Sequence, residues 1–236
     1  MLSELKIKNK KILVFSAHPD DAEFFAGGTL AKLSMVNDIG LVAVTSGEKG
    51  LKKRFKNNRV IREDEQKRSC KVLGINYLKF LKARDGNLKY SNELDNRVCE
   101  VIEKYKPQVI FSFDPWNENE VHPDHRILGF SVIDSLIACN LDKVVIESLY
   151  LYNPYKTDVY SNINKFMDKK IDANKCHMSQ HSEYESGWRE KKEILIKIAK
   201  LYGKYCNIKF AEVYRKLSVC PSRRYLINAV NTIKAS

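Results

Sequence analysis

Residues 11–23 read KILVFSAHPDDAE, a short apolar run followed at once by one histidine and three carboxylates. The run 11–16 has the length and the Val, Ile and Phe content of a buried parallel strand. In open α/β sheets, ligands bind in the crevice beyond the carboxyl ends of the strands. The sequence therefore predicts that His18, Asp20 and Asp21 lie where a catalytic metal would bind.

Histidine and carboxylate recur behind a second predicted strand. Residues 109–113 (VIFSF) form another short apolar run, and the tetrapeptide 122–125 reads HPDH, which contains two of the five histidines of the chain. If both strands belong to one parallel sheet, the two clusters meet on one side of it. Together they supply enough nitrogen and oxygen ligands for one divalent metal, with carboxylate left over for acid/base work.

Strand and helix patterns alternate through the first part of the chain. Periodicity and turn residues predict strands at 11–16, 39–45, 77–81, 109–113 and 144–150, and helices at 23–36, 60–73, 93–105 and 126–139. This alternation is typical of an α/β fold with a Rossmann-like, doubly wound and mostly parallel sheet.

The pattern loosens in the last part of the chain. The predicted elements there are a short strand near Val159 and helices at 164–176 and 184–205. No linker rich in Pro, Gly or Ser sets this part off from the rest. We therefore expect one domain over 1–236, with a core at about 11–150 and a C-terminal helical extension at about 151–236. The extension would cap the sheet or serve a homo-oligomer.

The composition is that of a strongly basic globular protein. The 236 residues include 41 Lys and Arg against 29 Asp and Glu, a net charge of +12, and 44% are hydrophobic. Seven of the basic residues lie between Lys49 and Arg62. Such a run forms a solvated face, steers an anionic substrate or binds nucleic acid non-specifically. No helix-turn-helix, zinc-finger or RNA-binding signature accompanies it, so no specific nucleic-acid partner is expected.

Two features of the sequence concern membranes and export. No run of 18 apolar residues is present, so no membrane span is predicted. The first residues lead directly into a Lys-rich segment, without the apolar region or cleavage site of a signal peptide. We therefore expect a cytoplasmic protein.

Three of the clustered side chains match the ligand number of a catalytic zinc site. Such sites usually have three protein ligands and one exchangeable water, whose pKa the metal lowers toward neutrality. His18 and Asp21 are close enough for one loop to present both, and His125 comes from a second loop. Two histidines and one carboxylate also form the site of non-haem iron enzymes, so Fe²⁺ or another divalent metal is an alternative to Zn²⁺.

Three further residues are available for the chemistry. Asp20 is adjacent to Asp21 and is free to act as general base toward a metal-bound water. His122 is near the metal without being needed as a ligand, and it can donate a hydrogen bond to a developing oxyanion. Asp124 can fix the tautomer of a neighbouring histidine. An Asp pair behind a strand is more often a turn or helix cap, but two such clusters together favour a metal site.

Several motifs occur in the order found in one known family. The stretch AHPDDAE at 17–23 and HPDH at 122–125 resemble the two histidine motifs of the PIG-L/LmbE-like zinc-dependent N-acetylglucosaminyl deacetylases. Further matches are TSGEKG at 45–50, R-x-x-E at 62–65 before Leu73-Gly74, Asp85-Gly86, Lys170 with HMSQ at 177–180, and AEVY at 211–214. The resemblance covers about residues 11 to 215.

The resemblance implies roles for individual residues. It implies Zn²⁺ on the three ligands named above, the same general base and oxyanion stabiliser, and Asp124 tuning His122. It also implies that Arg62 contacts the acyl group or the product carboxylate. His177 and Gln180 would be pocket-wall or structural residues.

The expected activity follows from these motifs. The chain would be a zinc-dependent hydrolase that removes the N-acetyl group from an N-acetylglucosamine-type sugar or glycoconjugate, releasing acetate and a free amine. The basic run after Gly50 suits an anionic or nucleotide-linked sugar. Two alternatives stay open: a non-catalytic carbohydrate or nucleic-acid binding protein on the same fold, favoured by the charge of +12, and a non-haem iron enzyme.

Overall fold

The computed structural model describes residues 2–50, 57–138, 144–181, 185–220 and 225–228. The strands are β1 Ser3–Glu4, β2 Lys11–Ser16, β3 Asp38–Thr45, β4 Tyr77–Ala83, β5 Val109–Phe113, β6 Ser148–Tyr152, β7 Val159–Asn162, β8 Ala211–Cys220 and β9 Tyr225–Asn228. The helices are α1 Asp21–Leu33, α2 Asn58–Leu73, α3 Asn92–Tyr105, α4 Pro123–Ala138, α5 Met167–Lys175 and α6 Glu185–Tyr205, with a 3₁₀ turn at Met178–Gln180. Within these ranges, no helix has both the length and the apolar character that crossing a membrane requires.

Five parallel strands form the centre of the sheet, in the order β6-β5-β2-β3-β4. From β2 the chain proceeds to β3 and β4 on one side, and then returns to place β5 on the other side of β2. The direction of winding therefore changes between β2 and β5, and such a switch point is where open α/β sheets bind ligands. The predicted α/β fold with a doubly wound, mostly parallel sheet is confirmed.

Strands β2, β3 and β5 are apolar over most of their length because both of their faces are covered. Every residue of β5 is buried, and so is every residue of β2 and β3 after the first. Parallel sheets with helices on their faces have this continuous apolar character, in contrast to the alternation of half-exposed strands. The apolar runs that predicted β2, β3 and β5 are therefore the core of the protein.

Several predicted boundaries differ from the structure by a few residues. Helix α4 begins at Pro123 rather than at residue 126, so the last three residues of the HPDH motif are helical. Proline is favoured at a first helical position because an N–H group would have no acceptor within the helix there. The strand predicted at 144–150 occupies Ser148–Tyr152, later than expected. Parts of the predicted loop at 46–58 and the predicted helix end at Cys139 lie outside the described residues.

The C-terminal extension contains strands as well as the predicted helices. Strand β8 lies between β6 and β7 and is antiparallel to both, and β9 pairs with β8. The short strand predicted near Val159 is β7, whereas β8, which begins at the motif AEVY at 211–214, was not predicted. The extension thus shares one sheet with the core, while the proposed domain bounds stay a prediction.

A buried ion pair joins β8 to two helices. Lys170 of α5 lies 2.5 Å from Glu212 of β8, and both side chains are only 4% exposed. The carboxylate of Glu212 also accepts hydrogen bonds from the backbone N–H groups of Gly28 and Thr29 in α1, at 3.1 and 2.7 Å. One buried charge is therefore satisfied by partners from two helices, as a buried charge must be.

Helix α1 carries two glycines where α5 and the chain before it come close. A Cβ on Gly27 would lie 3.2 Å from Cγ of Lys170, and a Cβ on Gly28 would lie 2.9 Å from side-chain atoms of Ile163. The close neighbours of this pair therefore come from α5 and from the segment that precedes it.

We expect the substitution Glu212→Ala to destabilise the fold by about 3–5 kcal/mol, because it leaves the charge of Lys170 buried without its partner. The measurement is the free energy of unfolding in urea. Asp64→Ala is the control, because it breaks the exposed ion pair with Lys67 and should leave the unfolding midpoint unchanged. Equal effects of the two substitutions would contradict the role of Glu212.

Candidate active site

Both predicted clusters lie at the strand ends that flank the switch point. His18 follows β2, and α1 begins at Asp21. His122 follows β5 after a short loop, and the first turn of α4 carries Asp124 and His125. Because β2 and β5 pair in parallel, their carboxyl ends lie side by side. The structure therefore brings together the histidines and carboxylates that the sequence separates.

Asp21 lies between the two histidines predicted to share a metal with it. Its Oδ1 is 3.3 Å from Nε2 of His125, and its Oδ2 is 3.5 Å from Nδ1 of His18. The backbone N–H of His18 also donates to Oδ2, at 2.7 Å. The three predicted ligands thus converge, while their role as ligands stays a prediction.

Each of these two imidazoles has another carboxylate at its opposite nitrogen. Nε2 of His18 is 3.2 Å from carboxylate oxygens of both Asp85 and Asp124. Nδ1 of His125 is 3.1 Å from Oε2 of Glu120. Metal-ligating histidines commonly show this arrangement, in which one nitrogen faces the metal and the other is paired with a carboxylate. The donor set therefore fits a metal between His18, Asp21 and His125.

Asp124 faces a different histidine from the one expected. Its carboxylate contacts His18 and accepts the N–H groups of Gly86 and Leu88, at 2.8 and 3.1 Å. Its link to His122 is through its backbone N–H, which lies 3.3 Å from Nδ1 of that ring. Successive side chains on a helix point about 100° apart, so neighbours in the HPDH motif do not face one another.

The carboxylates give the site a field that favours positive charge. Burial lowers the pKa of His18, but hydrogen bonds with Asp124 and Asp21 outweigh it and raise that pKa to about 12. Burial likewise lowers the pKa of His125, and Asp21 and Glu120 reverse the effect and raise it to about 9. A divalent cation held by nitrogen and oxygen ligands suits such a pocket.

In the described part of the chain, His18, Asp21 and His125 are not among the sets of three whose ligand atoms all lie within 4.8 Å of one another. Among the described residues, two groups offer ligand atoms within 4.8 Å of one another, namely His18 with His122 and His125, and His18 with Asp85 and Asp124. In the first group, the ring centroid of His122 is 4.6 Å from that of His18 and 4.7 Å from that of His125. In the second group both carboxylates already accept backbone N–H groups, which suits them to orienting His18.

Asp20, the predicted general base, has an unusual backbone conformation. Its φ of 101° lies in the left-handed region, which residues other than glycine rarely adopt. Its N–H donates to Oε1 of Gln66 at 3.2 Å, and its carboxylate lies 3.3 Å from Nη2 of Arg62 and 4.0 Å from Nζ of Lys191. Residues in such conformations persist when the surroundings fix them, and they concentrate at functional sites.

Arg62 lies directly behind Asp20. It is only 2% exposed, and it donates to the carbonyl oxygen of Pro19 as well as to the carboxylate of Asp20. A Cβ on Gly47 or on Gly50 would lie 2.9 Å from its guanidinium nitrogens, so the loop carrying the TSGEKG motif packs closely against this side chain. The described contacts of Arg62 thus hold Asp20 in position. A contact between Arg62 and the substrate stays a prediction.

A buried polar network continues from Asp20 into the core. Gln66 donates from Nε2 to Oε1 of Glu23 at 2.6 Å, and Ser69 donates to the same oxygen at 2.7 Å. His177 is 1% exposed, and its Nε2 is 3.6 Å from the other oxygen of Glu23. His177 therefore lies in this network. Gln180 lies near Gly50, because a Cβ added to Gly50 would be 2.9 Å from Oε1 of Gln180.

Sequence reasoning did not assign four of these residues to the site. They are Gln66, Asp85, Glu120 and Lys191. Asp85 had a signal, because Asp85-Gly86 was among the matching motifs, and Glu120 lies two positions before His122 in the same polar loop. Gln66 and Lys191 had none, since they reach Asp20 from separate helices through the tertiary fold alone.

A sequence profile of the family described as "PIG-L: GlcNAc-PI de-N-acetylase" matches residues 13–136, which hold every predicted ligand and catalytic residue. A curated relative, the diacetylchitobiose deacetylase of Thermococcus kodakarensis, is 30% identical over 233 residues, or 90% of this chain and 86% of the relative. The chain belongs to the PIG-L family.

Two further proteins are similar over most of the chain. A probable N-acetyl-alpha-D-glucosaminyl L-malate deacetylase 2 of Bacillus anthracis is 28% identical over 216 residues, covering 80% of this chain and 93% of the relative. The solved structure of N,N'-diacetylchitobiose deacetylase from Pyrococcus horikoshii, complexed with its inhibitor MPG, matches with a TM-score of 0.84 at 29% identity. The match covers 95% of this chain and 88% of the chain in that structure.

We expect the substitution Asp21→Asn to weaken Zn²⁺ binding at least 100-fold. Residues that only hydrogen-bond to a metal ligand already contribute about 10–100-fold to metal affinity. The change to Asn removes the negative charge of the carboxylate that faces both His18 and His125, and it keeps the shape of the side chain. The measurement is competition with a chromophoric chelator. Asp168→Asn, on the exposed side of α5, is the control and should bind as the wild type does. Unchanged affinity in Asp21→Asn would exclude Asp21 as a ligand.

Proposed function

We propose that the chain is a metal-dependent N-deacetylase that hydrolyses the N-acetyl group of an N-acetylglucosamine-type sugar or glycoconjugate. The observation that carries the proposal is the convergence of His18, Asp21 and His125 at the switch point of the sheet, with Asp20 beside them. Membership of the PIG-L family and similarity to proteins named as deacetylases of acetylated amino sugars support the reaction and the substrate class.

His18, Asp21 and His125 would hold the metal, and we propose Zn²⁺. A metal ion of this kind, when bound, lowers the pKa of a water and polarises a carbonyl. The nitrogen and oxygen donors suit zinc, and they suit Fe²⁺ as well, so the choice rests on the hydrolytic character of the similar proteins. Consumption of oxygen by the iron-loaded protein would favour the alternative of an iron enzyme.

Asp20 acts as general base in the proposed reaction. It takes a proton from the attacking water and passes it on to the amine that leaves. Its carboxylate is suited to this because Arg62 and Lys191 fix its direction while 18% of the side chain stays exposed. A base must lie within hydrogen-bond reach of the proton it removes, and the next residue, Asp21, is a proposed ligand.

His122 donates a hydrogen bond to the oxyanion that forms on the acetyl carbon. Burial lowers the pKa of His122, which favours the neutral ring. Its Nδ1 accepts the backbone N–H of Asp124, which places the remaining proton on Nε2. The ring thus has a donor for the oxyanion and no charge that would oppose a nearby cation.

The finer parts of the proposal concern the substrate and its setting. A net charge of +12 supports an anionic or nucleotide-linked sugar, because a basic protein attracts such molecules. A homo-oligomer and a cytoplasmic location stay predictions. A non-catalytic carbohydrate or nucleic-acid binding protein is the rival, and its mark would be salt-sensitive binding of DNA without hydrolysis of any N-acetyl sugar.

The experiment is acetate release from a panel of N-acetylglucosamine conjugates, glycosidic and nucleotide-linked, by zinc-loaded protein. We expect Asp20→Asn to lose about 10²–10⁴-fold in kcat while it still binds Zn²⁺, since only proton transfer is impaired. His125→Ala, measured beside it, should lose both metal and activity. A near-normal rate in Asp20→Asn would exclude the base, and no acetate from zinc-loaded wild type would favour the binding protein.

The substitution Arg62→Gln tests whether that side chain orients Asp20 or contacts substrate. We expect kcat to fall about 100-fold with KM unchanged, because a small displacement of a catalytic group has an effect of this size. Arg68→Gln, an exposed position on the same helix and outside the basic run, should leave both constants as in the wild type. A raised KM with unchanged kcat would instead favour the predicted contact with the acyl group.

A further inference from the structure

Glu120 is a buried carboxylate at the site for which the proposed reaction has no role. It lies in the loop between β5 and α4 and is 7% exposed. Its Oε1 accepts the backbone N–H of His122 at 2.9 Å, and its Oε2 accepts Nδ2 of Asn153 at 2.7 Å. Its Oε2 is also 3.1 Å from Nδ1 of His125. One side chain thus contacts the proposed oxyanion donor and a proposed metal ligand.

The ring of His125 needs such a partner to present the correct nitrogen. It stacks on Phe113, with centroids 3.8 Å apart and an angle of 13° between the planes. Stacking fixes the plane of the ring, but it does not decide which edge faces Asp21 or which nitrogen carries the proton. The carboxylate of Glu120 lies at ion-pair distance from Nδ1 without hydrogen-bond alignment, and its negative charge favours a proton on that nitrogen. The lone pair of Nε2 is then directed toward Asp21.

The position of Glu120 is itself fixed by a neighbouring loop. Asn153 follows β6 and has a left-handed φ of 51°. Its side chain donates a hydrogen bond to Glu120, and its backbone carbonyl oxygen accepts one from Nδ2 of Asn117 at 3.0 Å. The loops behind β5 and β6 are thereby joined by side-chain hydrogen bonds at both asparagines. Glu120 is therefore held in place independently of the histidines that it contacts.

We propose that Glu120 is a positioning residue that keeps the proton of His125 on Nδ1, so that Nε2 binds the metal, and that it holds His122 in register with the site. The inference rests on the proposed function for the identity of the metal ligands. It adds a residue that neither the motifs nor the names of the similar proteins assign.

The test is the substitution Glu120→Gln, with Glu118→Gln as matched control in the same loop, where that glutamate is exposed. The amide of glutamine has a single acceptor oxygen. The NH₂ group of this glutamine would therefore face a donor in either orientation: the backbone N–H of His122 in one, and Nδ2 of Asn153 in the other. We expect Zn²⁺ affinity, measured by chelator competition, to fall about 10–100-fold in Glu120→Gln and to stay unchanged in Glu118→Gln.

A second readout separates positioning from general support of the fold. In the zinc-loaded wild type, nitrogen-15 NMR of the histidine rings should show His125 protonated on Nδ1, and this signal should be lost or shifted in Glu120→Gln. Glu120→Asp, which keeps the carboxylate, should recover part of the zinc affinity. A lower melting temperature with unchanged affinity and an unchanged His125 signal would overturn the inference and leave Glu120 a structural residue.

These outcomes are distinguishable from failure of the proposed function. Neither readout uses a substrate, so a wild type that binds Zn²⁺ but releases no acetate contradicts the proposed function without touching the role of Glu120. A wild type that binds no Zn²⁺ contradicts both. Full activity and full zinc affinity in Glu120→Gln contradict this inference alone.

Discussion

The parallel pairing of β2 with β5 is the constraint on which the site depends. In this register Ile12, Leu13 and Val14 lie opposite Val109, Ile110 and Phe111. It determines where each strand ends, and so where the two histidine clusters begin. A shift by one residue would move one strand end by about 3.3 Å and turn its side chains to the other face. Asp21 and His125, 3.3 Å apart, would then no longer meet.

The carboxylates of the site form two layers with different tasks. Asp21 faces the inner nitrogens of His18 and His125, while Asp85, Asp124 and Glu120 hold their outer nitrogens. The inner layer offers an oxygen to a cation, and the outer layer fixes the rings. Asp20 belongs to neither layer, because its partners are Gln66, Arg62 and Lys191 and not the histidines.

The sequence predicts features that depend on local spacing, and it does so well here. Apolar runs identified β2 and β5, and the motif at 17–23 placed His18 and Asp21 in one loop because only three positions separate them. Contacts that depend on the orientation of one element against another were not predictable. Asp124 turns to His18, and Gln66 and Lys191 arrive from other helices. Strand β8 was missed because a short motif does not reveal its partners.

The place of β8 also imposes an order of assembly. Among the described strands, β7 and β1 join the sheet only through β8, although they precede it in the chain by about fifty residues or more. On the ribosome, β6 therefore has an open edge until residues 211–220 have emerged, and an open edge can pair with other chains. Strand β1 thus joins the central strands only after residues 211–220 are in place, so completion of the sheet couples segments that lie far apart in the chain.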